Sequence, residues 1–423
     1  MSTDYVLLDQ YLGKAGIPVG YFPLVGYKLT VDAGSFVLTG QTLTLSAGRK
    51  LAVDTGAFSL TGTVITFKRT FVLTTDSGAF ALTGTDAALK AARKLILNSG
   101  TFTLTGTNVS FKRTYILAVD NGSFSLLGTD VAFERTYILV AENGTFSLTG
   151  ENVASKAARK LSLDSGSFSL TGTDITFKRT YILTAESGSF NLIGFDITFD
   201  RTYPLIAESG SFILTGTPIN FKRTYILSAD TGNFTLTGAS AGLIKGYELL
   251  AEECNFTLIG TDIAFEIARK LSLDSGTYNL TGTDITLNLV RKLNLDSGNF
   301  TLIGTDIALK AEHKLNVDIG MFSLTGEPLD FWRTYNLIAE EGIYILTGTD
   351  LLLKHGFTLL AEPGTYILNG TDIELYWWVW NACRGYVIPV EDRVLAISQE
   401  NRNIAIPYED RIIAISAYDN GGK

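Results

Sequence analysis

The chain has 423 residues, with 42 Gly, 25 Phe and only 8 Pro, and carries a formal net charge of -9 with a pI near 4.9. That acidity argues against nucleic acid as a partner, because phosphate binding calls for a basic stripe, and an anionic membrane would be repelled as well. Its two cysteines, Cys254 and Cys383, lie 129 positions apart, so neither a disulfide framework nor zinc-ligand spacing exists.

Residues 1-26 predict a cap or attachment segment. Tyr5 and Leu7 fall one period before Tyr27 and Leu29, and the pattern then dissolves into Gly13, Gly16, Pro18, Gly20 and Pro23. The start, MSTDYVLLDQ, lacks the basic region and apolar core of a signal peptide. The most apolar run, 375-380 (LYWWVW), is far too short to span a bilayer, so no membrane partner is expected and the chain reads as soluble.

Residues 27-375 form a repeat of 22 residues. An aromatic residue recurs sixteen times without an insertion, from Phe36 through Phe124 to Tyr366. Each is followed two positions on by a leucine (Leu38 to Leu368) and two further on by a glycine (Gly40 to Gly370). A second leucine series runs unbroken from Leu29 to Leu359. A fixed period of this size marks a repeat array, in which each unit buries its apolar face against its neighbours, and it overrides the several globular domains that length alone would suggest. The apolar residues alternate with Ser and Thr between glycines, which predicts an all-β chain.

The unit at 115-133 shows how the strands are expected to run. Tyr115, Leu117 and Val119 precede an acidic turn at Asp120-Asn121-Gly122, and Phe124, Leu126 and Gly128 follow it. Folding back at the turn pairs Val119 with Phe124, Leu117 with Leu126 and Tyr115 with Gly128, which puts every recurrent apolar position on one face. The same register sets Arg113 against Asp130, Arg69 against Asp86 and Arg179 against Asp196. A second reversal is expected at Val131-Ala132-Phe133-Glu134, whose equivalents Ser46-Ala47-Gly48 and Lys354-His355-Gly356 look like loop tips. The result is an elongated antiparallel β-meander of two-strand units.

The alternative is a parallel β-solenoid. Asn121-Gly122 suits a type I′ turn but Pro363-Gly364 cannot adopt one, whereas a type II turn accepts both while splaying the strands of a hairpin. A corner between two solenoid faces would serve as well. In a solenoid the turn acids, beginning with Asp32 and ending with Glu362, would stack about 4.8 Å apart and repel one another, which favours the meander. Cys254 replaces the turn glycine in one unit, and the sequence offers no account of it.

At the position of Tyr115 ten units carry an aromatic residue, five carry arginine (Arg49, Arg93, Arg159, Arg269, Arg291) and one has His313. The arginine units predict a more exposed or contact-forming stretch. From 376 to 423 the pattern changes. Trp377, Trp378 and Trp380 form an aromatic junction, and a nine-residue repeat follows, marked by Arg384, Arg393, Arg402 and Arg411. Short strands in VLAIS, IAIP and IIAIS separated by E-x-R turns predict a small β module that closes the last edge or binds a neighbour.

Chemistry is hard to find. His313 and His355 are the whole histidine inventory and occupy nonequivalent positions, so no triad or histidine metal site is supported. No phosphate-binding glycine loop or GxSxG motif is present, and no catalytic, cofactor or metal residue is assigned. The acid at each turn is read as an acceptor for its own turn's backbone, with Ca2+ as the alternative should the turns converge. The Thr-Gly-Thr stretches at Thr61, Thr171 and Thr281 suggest an ice-binding ladder, but Leu127, Ile193, Phe195 and others interrupt it, so they are read as β-favouring residues on a solvated face.

Tandem GSFxLTGTD with KRTYIL between copies, clearest at 166-183, and the tail marked by Glu391, Glu400 and Glu409, resemble structural proteins of tailed-bacteriophage virions over roughly residues 27-415. The resemblance implies a non-enzymatic virion component of fibre, decoration or tail-accessory type, self-associating as a homo-oligomer and contacting other virion proteins. It transfers no site residue. A bacterial surface adhesin, placed outside the cell, and an ice-binding repeat protein are the alternatives.

Overall fold

The computed structural model describes residues 25-45, 47-266, 268-288, 292-310, 314-332, 336-339, 341-354, 358-361, 365-370, 372-376, 394-397, 404-408 and 411-415. The capping segment up to residue 24, the tryptophan junction, His313, His355 and Cys383 lie outside these residues. The chain divides into two compact units with the boundary between Thr217 and Pro218. Each is a parallel β-solenoid, one 22-residue repeat to a coil.

A coil of the first unit has three strands, Thr114–Val119, Ser123–Leu127 and Asp130–Phe133. Each pairs in parallel with its equivalents one repeat away on both sides: Leu117 lies between Leu95 and Leu139, Phe124 between Phe102 and Phe146, and Val131 between Val109 and Val153. In two coils the second and third strands run on as one, Ser167–Phe177 and Ser189–Phe199. Leu117, Val119, Phe124, Leu126, Val131 and Phe133 point inward and are buried. Each such side chain contributes about 1.5 to 3 kcal/mol on burial.

This corrects the antiparallel meander of two-strand units, and the reason is stacking of like on like. Neighbouring parallel strands lie about 4.8 Å apart, which is also a favourable spacing for offset aromatic rings. Phe124 stacks on Phe102 at 5.0 Å and on Phe146 at 4.4 Å, with interplanar angles of 3° and 13°. In the meander equivalent rings would lie twice as far apart, and this ladder would be lost. The backbone agrees, since turn amides bond to the previous coil: Asp54 N–H donates to Val31 O at 2.9 Å and Thr55 N–H to Asp32 O at 2.8 Å. Repulsion between stacked acids is real but falls on a corner in water, where it is screened.

Three further expectations change with the topology. Tyr115 does not face Gly128; it is 49% exposed on the outside, because Thr114 is buried, Tyr115 and Ile116 both turn outward, and the paired register steps from Thr114 to Ile116. Asp130 sits at a different corner from Arg113, paired in register with Asn108 and Asn152; Asp86 and Asp196 likewise lie beside Asn108 and Asp174. Val131 and Phe133 belong to a buried third strand, and Ala47 and Gly48 to the strand Ala47–Val53, so no reversal occurs there.

The recurrent glycines serve close approach between coils. A Cβ on Gly122 would lie 2.3 Å from Gly100 O, and one on Gly84 2.3 Å from Gly62 O, closer than any real side chain comes. Among the described glycines positive φ is recorded at Gly34 alone, so the type II turn is not the explanation. For Gly56, Gly78 and Gly144, the residue 25 positions earlier is a valine whose Cγ1 would meet a Cβ at 2.8, 2.6 and 2.4 Å. Cys254 stands at this glycine position with a buried side chain, and nothing in the structure explains the exception.

The second unit repeats the coil from Pro218 onward. Its parallel ladders run from Thr224–Ala229, Asn233–Thr237 and Pro218–Phe221 to Thr358–Ala361, Thr365–Asn369 and Asp372–Tyr376. Val394–Ile397 then runs antiparallel along Thr365–Asn369, and Ile404–Tyr408 pairs antiparallel with Arg411–Ile415. A strand laid along the last second strand covers backbone groups that would otherwise template uncontrolled pairing.

Candidate functional surface

In the described coils the first corner carries the turn acid, with Asn98 in its place in one of them. Its backbone is satisfied by the coil before, and the residue after it adds a second bond to the same carbonyl: Ser187 donates to Asp164 O from N–H at 2.7 Å and from Oγ at 2.9 Å. Ser209 does the same to Glu186 O, at 2.7 and 2.8 Å. The backbone of this corner is thus satisfied by bonds between coils, and the acid side chains stand in a row. Burial, then a bond to Asp32 and the charges of Asp76 and Asp32, pushes the Asp54 carboxyl above its ordinary range. Asp296 is raised by burial and then by Asp274 and Asp318. Where asparagine interrupts the row the repulsion becomes a bond: Asn98 Nδ2 donates to Asp76 Oδ1 at 2.6 Å. Among the described residues no three His, Cys, Asp or Glu side chains gather closely enough to hold a metal ion. A row is the geometry that stacking imposes.

The second corner, between the second and third strands, holds the Thr-Gly-Thr stretches. Thr61, Thr63, Thr171 and Thr173 are exposed there, and Leu127, Ile193 and Phe195 are exposed at the interrupting positions. Next to them runs a mixed Asp and Asn row, in which Asn152 Nδ2 donates to Asp130 Oδ1 at 2.7 Å and Asn108 Nδ2 to Asp86 Oδ1 at 2.6 Å.

The third corner, where one coil passes to the next, is basic. Every lysine and arginine from residue 25 to 376 occupies one of five consecutive positions of the period, those equivalent to 112-116. In the first unit Lys68, Arg69, Lys112, Arg113, Lys178 and Arg179 are all exposed along this corner. Between residues 25 and 217 every acid except Glu134 and Asp200 lies instead at the first or second corner. Glu134 is within 4.0 Å of Lys156 Nζ in the next coil. The net charge of -9 conceals this separation. It was readable as a phase of lysine and arginine within the period, a signal that total charge averages away.

Between the basic and acidic corners lies the outer face of the first strands. Tyr115, Ile138, Tyr181, Ile182 and Tyr203 are exposed there, and the Tyr181 and Tyr203 rings stack at 5.1 Å with an interplanar angle of 3°. Arg93 and Arg159 of the arginine coils are exposed on the same face, in the same row. Inside, the one described cysteine is a poor nucleophile: burial pushes the Cys254 thiol up to about 11. Compared with family models, curated proteins and solved structures, the chain matches none.

Proposed function

We propose that this chain is a non-enzymatic structural component of a tailed-phage virion, of fibre, decoration or tail-accessory type, that associates with copies of itself and with other virion proteins through its repeat faces. The observation that supports the reading is the ladder. Leucine recurs beneath leucine (Leu95, Leu117, Leu139) and phenylalanine beneath phenylalanine (Phe102, Phe124, Phe146), so each coil is both core and template for the next, and outward positions are free to vary in charge and shape. The property put to use is then the stiffness of stacked coils. The repeat style and the tail of E-x-R turns supply the virion assignment by resemblance.

Peptide mass spectrometry of gradient-purified particles from a phage encoding this chain tests the reading. Its peptides should copurify with infectious particles at a stoichiometry of several copies. Recovery in the host envelope fraction, with none in particles, would replace it with the adhesin reading.

A further inference from the structure

We propose that the basic third corner of one copy docks lengthwise on the acidic first corner of a second copy, coil against coil. This rests on the self-associating reading above and names the surface that reading leaves open.

Three observations carry it. The corners lie at opposite ends of the same strand: in one coil Lys112 and Arg113 precede Thr114–Val119 and Asp120 follows it. Both rows belong to the same stack and therefore share one rise, about 4.8 Å per coil. A second copy shifted sideways along the first-strand direction, with its stacking axis parallel, brings its basic row against the first copy's acidic row, and the match persists over successive coils instead of drifting out of phase. Both rows are also accessible: Lys112, Arg113, Lys178 and Arg179 on one, and Glu142 and Glu186 on the other, are exposed.

A single exposed ion pair contributes little, but a commensurate row multiplies it, fixes orientation and steers encounter. The contact joins two different patches, so it is heterologous and does not close on itself. Repetition extends it into a layer of parallel stacks that presents the tyrosine and isoleucine rows on one side. The chemistry also excludes the mirror arrangement, since acidic corner on acidic corner repels.

The test is a charge swap read by sedimentation velocity of the full chain. Variant one reverses the basic corner (Lys112→Glu, Arg113→Glu, Lys178→Glu, Arg179→Glu); variant two reverses the acidic one (Asp120→Lys, Glu142→Lys, Asp164→Lys, Glu186→Lys). The wild type should associate at about 0.01 M salt and weaken roughly tenfold or more towards about 1 M, as screening shortens. Each variant alone should remain monomeric, and an equimolar mixture of the two should associate again. All three need the same β-sheet circular dichroism signature, and if a variant fails to fold, the salt dependence of the wild type decides. Association that ignores both salt and reversal would overturn this surface and leave self-association standing. A wild type that is monomeric at low salt would overturn both, and its retention on heparin would then assign the basic corner to a polyanion.

Discussion

The phenol of Tyr344 donates to the main-chain carbonyl of Leu315 at 3.0 Å, deep in the aromatic ladder, and the Ile338 carbonyl lies at the same distance. Tyr278 occupies the equivalent ladder position, stacked on Phe256 at 4.3 Å, yet its buried hydroxyl has no hydrogen-bond partner among the described residues. The two tyrosines should therefore respond oppositely to loss of the hydroxyl. Tyr278→Phe should stabilise by about 1 to 3 kcal/mol, the cost of an unpaired buried donor, and Tyr344→Phe should destabilise by about 0.5 to 1.5 kcal/mol. Urea unfolding midpoints read both, and shifts of the same sign would contradict the assignment.

Close approach predicts a contrast between two glycines. A Cβ on Gly122 meets the Gly100 carbonyl at 2.3 Å, whereas one on Gly242 meets only the Asn220 Oδ1 at 3.2 Å, at a position where other coils carry Ala88, Ala132 and Ala154. Gly122→Ala should cost about 1 to 3 kcal/mol by forcing coils apart. Gly242→Ala should be neutral or stabilise by up to about 1 kcal/mol, through reduced freedom of the unfolded chain. Thermal melts of the two variants check this.

One coil is underpacked. Ser155 follows Phe133 and precedes Phe177 in its row, and a cavity of about 20 Å³ opens beside it, lined by Phe133, Val153, Leu170 and Phe177. The coil at 89-94 has the same Lys-Ala-Ala-Arg-Lys continuation but carries Leu89 at this position. Ser155→Leu should fill the gap and raise stability by about 1 kcal/mol or more. A lowered melting temperature would show that the coil is already full.

Acidity should relieve the first corner. The folded carboxyls of Asp54 and Asp296 titrate above their ordinary value of 3.8. Between that value and the raised ones the folded chain holds more protons than the unfolded chain, so stability rises as pH falls through this window, and the penalty is complete above it. Asn98 already shows the relieved arrangement, since its amide donates to Asp76 as a protonated acid would. Asp54→Asn should thus stabilise at neutral pH by no more than about 1 kcal/mol, given screening at the corner. The gain should shrink as the medium is acidified to about pH 4; a gain independent of pH would exclude a titrating cause.

Local chemistry was legible in the sequence. The period, the all-β composition, the inward ladder of Phe124 and Leu126 and the recurrence of glycine all follow from residue types at fixed spacing, because burial and strand propensity act within a unit. What the tertiary structure decided is what stands next to what. Period-2 alternation is satisfied equally by a hairpin and by a solenoid coil, and the choice falls to contacts 22 residues apart, Phe124 on Phe102 and on Phe146, whose reward exists only once coils stack in parallel. The same stacking turned Tyr115 outward, made Asp130–Phe133 a third strand and gathered dispersed lysines and arginines into one basic corner. A residue's phase within the repeat belongs to the sequence; its neighbours are set by the direction in which the repeat is stacked.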